Sequence, residues 1–340
     1  MLNQDTIRAE VYSGLADAVA ANIDAHLESL GRRIILPSSF AGSTRQMQQL
    51  LQDALAINRS FKGADLFLTM TANPAWPEIQ NELLPGQAAA DRPDLVVRAF
   101  YAKQKQMIKD IEDGIFGKAL GYLFVIEFQK RGLPHMHCII FLDQDSKLHT
   151  PEQIDSLLSS EFPVDNPELL ELVKKFMVHK PCGAQNPKAP CMADGRCTKN
   201  FPKPFRDQTT ISEDAYAATR RRDTGQTHEV RGKQVDNHWV ITYSAHLIWK
   251  YRCHINLESI ASIKAIKYIY KYVYKGHDRI TMQFGTCDDE VKQYLDARYI
   301  SSCESIWRLF HYVMHSASPN VVRLQVHLSG QQYVTWNQNE

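Results

Sequence analysis

The sequence has almost no net charge. Its 39 Lys and Arg and 38 Asp and Glu leave +1 over 340 residues, which excludes nucleic-acid binding through overall basicity. Any such site must come from local segregation of charge. No apolar run is long enough to span a bilayer and no charged-then-apolar leader opens the chain, so the protein reads as intracellular and without a membrane partner. No internal repeat and no low-complexity tract is present, which sets aside a repeat architecture. Cysteine is scarce and odd in number: Cys138, Cys182, Cys191, Cys197, Cys253, Cys287 and Cys303 make seven. In a chain of this length without a leader, that count favours reduced thiols or metal ligands over a disulfide framework. What remains is ordinary for a globular protein, with 44% hydrophobic and 23% charged residues, enough apolar material for a core.

Periodicity predicts helix over 1–31, a short strand and a Pro/Ser/Gly-rich connection over 32–44, and helix over 45–58. A strand follows at 65–71, closed by Asn73-Pro74 and Trp76-Pro77. The 95–111 segment reads as helix, and 122–129 and 135–142 as two strands joined by a hairpin longer than a two-residue turn. Helix is expected at 167–177. Residues 180–235 are rich in Pro, Gly, charge and Cys with little period, too long for a plain loop. They read as an inserted module or a partly disordered segment. Strands are expected at 239–243, 254–257 and 321–326, and helices at 262–275, 289–297 and 305–315.

Two histidines stand two residues apart in Pro134-His135-Met136-His137. On a strand, alternation puts both on one face, which suits a divalent cation. The hairpin brings Glu127 and Gln129 alongside, so either oxygen could complete a site that leaves positions open for a phosphate. The carboxylate of Glu127 is preferred because it offsets the cation's charge. A histidine-triad nucleotide hydrolase needs a third histidine two residues on, and position 139 is isoleucine.

The segment from Lys267 to Gly276 carries four tyrosines at alternate positions. In the wider window Ile263, Ile266, Ile269 and Val273 recur at three- and four-residue steps, which reads as helix. On a wheel Tyr270 falls in the apolar stripe and Tyr274 at its edge. Lys264, Lys267, Lys271 and Lys275 form another face. Tyr268 and Tyr272 lie beyond them, one turn apart. These two are the candidate nucleophiles, with Lys271 as a catalytic aid, because nearby ammonium groups favour a phenolate and a divalent ion on a phosphate favours its attack. Four packing tyrosines are the plain structural alternative.

His179, Cys182, Cys191 and Cys197 supply a full ligand set for a tetrahedral structural Zn2+, although the long gap between the second and third is unlike common motifs. A metal would explain how this polar stretch stays folded. Arg196, Lys199, Lys203 and Arg206, then Arg220-Arg221-Arg222, with Phe201 and Phe205 interleaved, read as phosphate and base contacts or as a solvated charged loop.

Taken together these stretches resemble a family. The Arg131–His137 run resembles the HUH motif of Helitron Rep domains, the Lys267–Arg279 run their two-tyrosine motif, and the Asp65–Ile79 run their upstream strand motif. Ile35–Phe40 and Leu324–Leu328 add to the likeness, which spans about residues 30–330 in order. The resemblance implies the two-tyrosine type of HUH endonuclease, the Rep nuclease region of a Helitron transposase. It implies an α+β fold with a central antiparallel sheet flanked by helices, to which the residues themselves add a helical N-terminal region and a small Cys/His-rich insertion. It implies His135 and His137 as metal ligands, with Glu127 or Gln129 as the third, Mg2+ or Mn2+ as the ion, and Tyr268 and Tyr272 as nucleophiles. The expected product is a 5′-phosphotyrosine intermediate of rolling-circle transposition. Lys264, Lys267, Lys275, Arg131, Arg196, Lys199 and Lys203 would contact single-stranded DNA of the transposon ends and target. The expected division is 1–60 helical, 61–178 first nuclease part, 179–235 insertion, 236–285 second nuclease part and 286–340 an extension towards an absent helicase. Family members continue into a superfamily-1 helicase. No G-x-x-x-x-G-K-[ST] motif is present here, so the chain is not expected to unwind DNA, and such a helicase would be a separate partner or lost by truncation. Nuclear localisation follows from the eukaryotic resemblance alone. Competing readings are a non-catalytic single-strand DNA-binding remnant and a metal phosphodiesterase that activates water.

Overall fold

The computed structural model describes residues 44–128, 132–211, 217–260, 279–283, 294–298 and 300–322. The expected helices at 1–31 and 262–275, and the strand within 32–44, lie outside these residues.

The chain is α+β around one five-stranded antiparallel sheet, as its sequence leads one to expect. Strand β1 (Leu66–Thr71), β2 (Ala119–Phe128) and β3 (Pro134–Leu142) join β8 (Ile255–Ser259) and β11 (His315–Ser318). Their order is β11-β2-β3-β1-β8. The His-bearing strand β3 is therefore central, and all nine of its residues are buried. A strand paired on both edges and covered on both faces reads as a nearly continuous apolar run, broken here by two imidazoles.

Alternation gives the two faces different jobs. One face presents Leu66, Leu68 and Met70, Phe124 and Ile126, and Met136, Cys138, Ile140 and Leu142 to the main core. Helix α3 (Pro93–Glu112) packs Val96, Val97, Phe100, Met107 and Ile111 there. Proline at its first turn fixes the starting φ without losing an intrahelical donor. Helix α7 (Ser302–Leu309) adds Trp307, whose ring lies 6.1 Å from that of Phe100. The opposite face is apolar only at one end, where Phe67, Leu123, Ile139 and Phe141 meet Ala54 and Ile57 of α1 (Thr44–Ser60). Its other end carries the polar residues described below.

The connection after β1 shows why that stretch is composed as it is. Asn73 accepts the Ala75 amide at 3.0 Å to make a tight turn and donates to the Arg252 carbonyl at 2.8 Å. Trp76, fully buried before the short α2 (Pro77–Gln80), donates to the Tyr251 carbonyl at 2.8 Å. Both contacts fasten the turn to the end of α6 (Ala245–Tyr251), where Arg252 in the left-handed conformation stops the helix and hands the chain to β8.

Between α4 (Pro151–Leu157) and α6, helix α5 (Pro167–Phe176) leads into two small hairpins. These are β4 (Met192–Ala193) with β5 (Arg196–Cys197), and β6 (His228–Val230) with β7 (Lys233–Val235). The first closes through Asp194-Gly195 with φ of 49° and 74°, the positive values that a two-residue turn matching strand twist requires. Buried Arg221 returns the segment to the core by donating to the carbonyls of Ser160, Asn237 and Val240. Arg222 binds the Glu161 carboxylate at 2.7 Å. Arg221 is thus spent inside the fold, while Arg222 stays exposed and is paired with Glu161.

Four expectations need correction. Residues 239–243 are not a strand: the Asp236 carboxylate accepts the His238 amide and starts a 3-10 turn at Asn237–Trp239. Val240 and Tyr243 then make single bridges to Val178 and Ser159. The helix expected at 289–297 is overturned where it is described, since β10 (Tyr294–Arg298) pairs with β9 (Arg279–Gln283). The helix expected at 305–315 begins at Ser302, because Ser301 caps the Glu304 amide, and ends at Leu309, before His311 turns left-handed. Of the strand expected at 321–326, Val321 and Val322 are irregular and the rest lies outside the described residues; β11 lies upstream and begins at His315, where helix was expected.

Gly121 lies at the bulge of β2, where an added Cβ would overlap the Ser318 carbonyl oxygen and come within 2.9 Å of the Phe61 ring. Gly121→Ala is expected to cost about 1–3 kcal/mol, read as a lower urea midpoint at unchanged slope. A midpoint equal to wild type would contradict the close seating of β11 and Phe61 on β2.

Candidate functional site

The register of the sheet builds a polar patch from four strands. Across one row, Glu127 of β2 stands opposite His135 of β3, and His135 opposite Thr71 of β1. The Thr71 amide in turn donates to the carbonyl of His254, just before β8. In the next row Val125, His137, Thr69 and Asn256 are aligned. Parity puts the side chains of Glu127, His135, His137, Thr69, Thr71, His254 and Asn256 on the same face.

The side chains close on each other in pairs. His137 Nε2 lies 3.0 Å from Glu127 Oε2, and its ring stacks parallel on Phe67 at 5.9 Å. His135 Nδ1 lies 2.6 Å from Thr71 Oγ1, and the two imidazoles meet edge to face at 4.4 Å. Burial, then the charges of His137, His254 and Lys199, hold His135 well below the usual imidazole range. A neutral ring is the form that a metal ligand needs. The 3.0 Å separation at His137 and Glu127 is that of two ligand atoms about 2.1 Å from one cation and about 90° apart, an octahedral angle. His135 turns its Nδ1 to Thr71. An imidazole held through one nitrogen keeps the other for a ligand role.

His254 completes the row and was not singled out by sequence. Its Nδ1 lies 3.0 Å from the Phe176 carbonyl, which only accepts, so the proton sits on Nδ1. Burial lowers its pKa and leaves Nε2 with a lone pair. The signal was available: His254, Asn256 and Glu258 alternate along a segment read as strand.

A second group forms in the insertion. The ligand atoms of His179, Cys182, Cys191 and Cys197 all lie within 4.8 Å of one another, the one such convergence of three or more His, Cys, Asp or Glu among the described residues. His179 Nε2 is 3.7 Å from Cys182 Sγ and 3.6 Å from Cys197 Sγ. A tetrahedral ion with bonds of about 2.3 Å to sulfur and 2.05 Å to nitrogen has edges of about 3.6 Å, so this cluster could hold a metal ion. Burial, then hydrogen bonding among the thiols, pushes Cys182 up to about 12. At Cys197 burial is outweighed by the Phe201 and Lys199 amides, which hold the thiol below its ordinary value. Crowded thiols that resist joint ionisation are what a bound cation relieves.

The remaining candidates divide by position. Arg196 and Lys199 are exposed and Lys203 half-buried, all beside the cluster. Phe201 stacks on His179 at 4.2 Å and Phe205 lies tilted against His238 at 3.6 Å, so these rings already have partners inside the fold. Gln129, Arg131, Lys264, Lys267, Tyr268, Lys271, Tyr272 and Lys275 lie outside the described residues.

Elemental analysis of the chain isolated without chelator is expected to find about one bound metal ion per chain. Cys182→Ser or Cys191→Ser should lose it, with local stability falling by several kcal/mol, on the order of a structural metal's contribution. A stable, fully reduced wild-type chain free of metal would rule the cluster out as a metal site.

No curated protein matches the chain. Residues 1–140 match the family model described as the Helitron helicase-like domain at the N-terminus. The match takes in β1, β2, Glu127 and both histidines and ends within β3, before the Cys/His cluster. Over that stretch, under half of the chain, the sequence is similar to the Helitron helicase-like N-terminal domain, which suggests a Helitron transposase-related role.

Proposed function

We propose that this chain is a metal-dependent endonuclease and strand transferase of single-stranded DNA, the Rep nuclease of a Helitron transposase with two nucleophilic tyrosines. One observation carries the reading. The paired imidazoles of His135 and His137 sit on the polar half of the sheet with the Glu127 carboxylate 3.0 Å from His137, inside the Helitron-matched stretch.

His135, His137 and Glu127 would hold Mg2+ or Mn2+. When bound, such an ion neutralises a phosphate oxygen and makes the phosphorus more electrophilic. Thr71 orients His135, Phe67 orients His137, and Glu127 offsets the cation's charge. Gln129 is the second candidate for the third ligand. Tyr268 or Tyr272 is the nucleophile. Its phenol oxygen bonds to phosphorus, its proton passes to solvent, and the P–O bond to the 3′ oxygen breaks. That oxygen takes up a proton as it leaves. One phosphodiester replaces another, so the 5′-phosphotyrosine can be rejoined to a 3′ hydroxyl without an energy source. Lys271 favours the phenolate, and Lys264, Lys267, Lys275, Arg131 and Arg196 contact backbone phosphates. The Cys/His cluster holds Zn2+ as a structural ion. In transposition the partners are the element's ends, its target and a superfamily-1 helicase, in the nucleus.

A labelled single-stranded oligonucleotide incubated with the chain and Mn2+, then run on denaturing protein gels, tests this. A covalent adduct is expected, abolished in Tyr268→Phe/Tyr272→Phe. His135→Ala or His137→Ala should reduce it by about two orders of magnitude or more, since a metal's charge stabilisation contributes several kcal/mol. Binding without cleavage would indicate a DNA-binding remnant, and cleavage without adduct a water nucleophile.

A further inference from the structure

Helix α6 leaves its largest side chain in water. Leu247, Ile248 and Tyr251 turn into the core, while Trp249 keeps 42% of its surface open. An indole has much apolar area to bury, and this one forgoes part of that gain. Arg252, just past the end of the helix, is also exposed. Its guanidinium stands over the Trp249 ring, with Cζ 6.0 Å from the centroid, the outer limit of a cation–π contact. No carboxylate among the described residues pairs with this arginine.

The backbone does not need that side chain. Arg252 adopts φ 47° and ψ 50°, the left-handed conformation in which helices end and where glycine is the usual occupant. A Cβ is strained there. The turn is held by main-chain groups: the Arg252 amide donates to the Ile248 carbonyl at 3.0 Å, and the Arg252 carbonyl accepts from Asn73 Nδ2 at 2.8 Å. A cation at a helix C-terminus also suits the helix dipole. Lys250 already fills that role, and it is tied to Asp110 at 2.7 Å. The guanidinium is left beside the indole with no internal task.

The pair stands at the end of the sheet that carries the histidine row. Asn73, which binds Arg252, lies two residues beyond Thr71. The Thr71 amide donates to the His254 carbonyl at 3.0 Å, and its hydroxyl lies 2.6 Å from His135 Nδ1. Arg252 and His135 are thus fastened to the same short piece of β1 and its turn. An exposed ring with a cation fixed beside it has the composition of a single-strand subsite. Any unpaired base can stack on the ring, and the planar guanidinium can donate to the neighbouring phosphate. We propose that Trp249 and Arg252 form a stacking subsite for one nucleotide of single-stranded DNA at the histidine end of the sheet. The proposal rests on the nuclease reading above and adds to it a place where the strand is gripped away from the reacting phosphate.

The test measures affinity of the full chain for a fluorescent oligonucleotide, single-stranded and as duplex, without added divalent ion. Trp249→Ala should weaken single-strand binding about 5- to 100-fold, the range for one base on one aromatic ring. Duplex affinity should not change, because paired bases offer no open face. Trp249→Phe should stay near wild type. Arg252→Gly should reduce the slope of log K against log salt by about 0.7, the value for one single-strand phosphate contact. Its urea midpoint should be no lower than wild type, since glycine relieves the left-handed residue. Wild-type affinity and slope in both variants would overturn the proposal. So would equal losses on single strand and duplex together with a lower urea midpoint, which would make the pair a support of the fold. Wild type that binds no single strand would sink both readings. If wild type forms the covalent adduct while neither variant loses affinity, the subsite alone fails. If wild type forms no adduct while both variants shift as expected, the nuclease reading fails and the subsite stands.

Discussion

Strand β3 is paired along both edges, and the two registers set His135 opposite Glu127 on one side and Thr71 on the other. A shift of one residue in either pairing would send the imidazoles into the main core and Met136 and Cys138 to the polar patch. That slip is opposed from both faces. Met136, Cys138, Ile140 and Leu142 are packed under α3, and Ile139 and Phe141 are packed under α1. The same apolar residues that stabilise the sheet thereby fix where two polar ones stand. Geometry at the patch is a by-product of core packing, which holds side chains more narrowly than a loop can.

The patch also shows why a buried polar group need not be a defect. Burial of His135 and His137 would be costly if their ring nitrogens faced only carbon. Thr71 and Glu127 meet one nitrogen each at 2.6 and 3.0 Å. At His135 burial also lowers the pKa, and a neutral imidazole held through one nitrogen is a ligand poised for a cation.

Legibility in the sequence followed the range of the interaction. The His135–His137 pair and its neighbour Glu127 could be read because a strand's period is two and the hairpin that joins them is local. Thr71 could not, since it lies 64 residues from the ring it holds and no periodicity specifies that partner, while His254 shows only as strand alternation, which does not reveal that it joins the pair. The 239–243 segment reads as a strand from its apolar alternation, yet the Asp236 cap upstream decides its start. Tyr294–Arg298 is a strand because β9 pairs with it, which helical spacing alone does not convey. The four cluster ligands were legible as types, but their convergence depended on the Asp194-Gly195 turn that brings Cys197 back beside Met192.

The insertion and the sheet are best understood as two answers to one difficulty. A segment with little apolar content cannot stabilise a fixed loop through its own core, and a fixed loop is what a charged side chain needs if it is to act at a particular place. Stacking of Phe201 on His179 and the amides that close on Cys191 and Cys197 supply order without bulk. Carbonyl capping by Arg221 and the Glu161–Arg222 pair then fasten the returning chain to the body of the protein. Rigidity gained in this way is local and leaves the lysines of the segment in solvent or at its edge. A near-neutral chain can therefore still present concentrated positive charge at one spot. Affinity for an anion depends on that spot and not on the total.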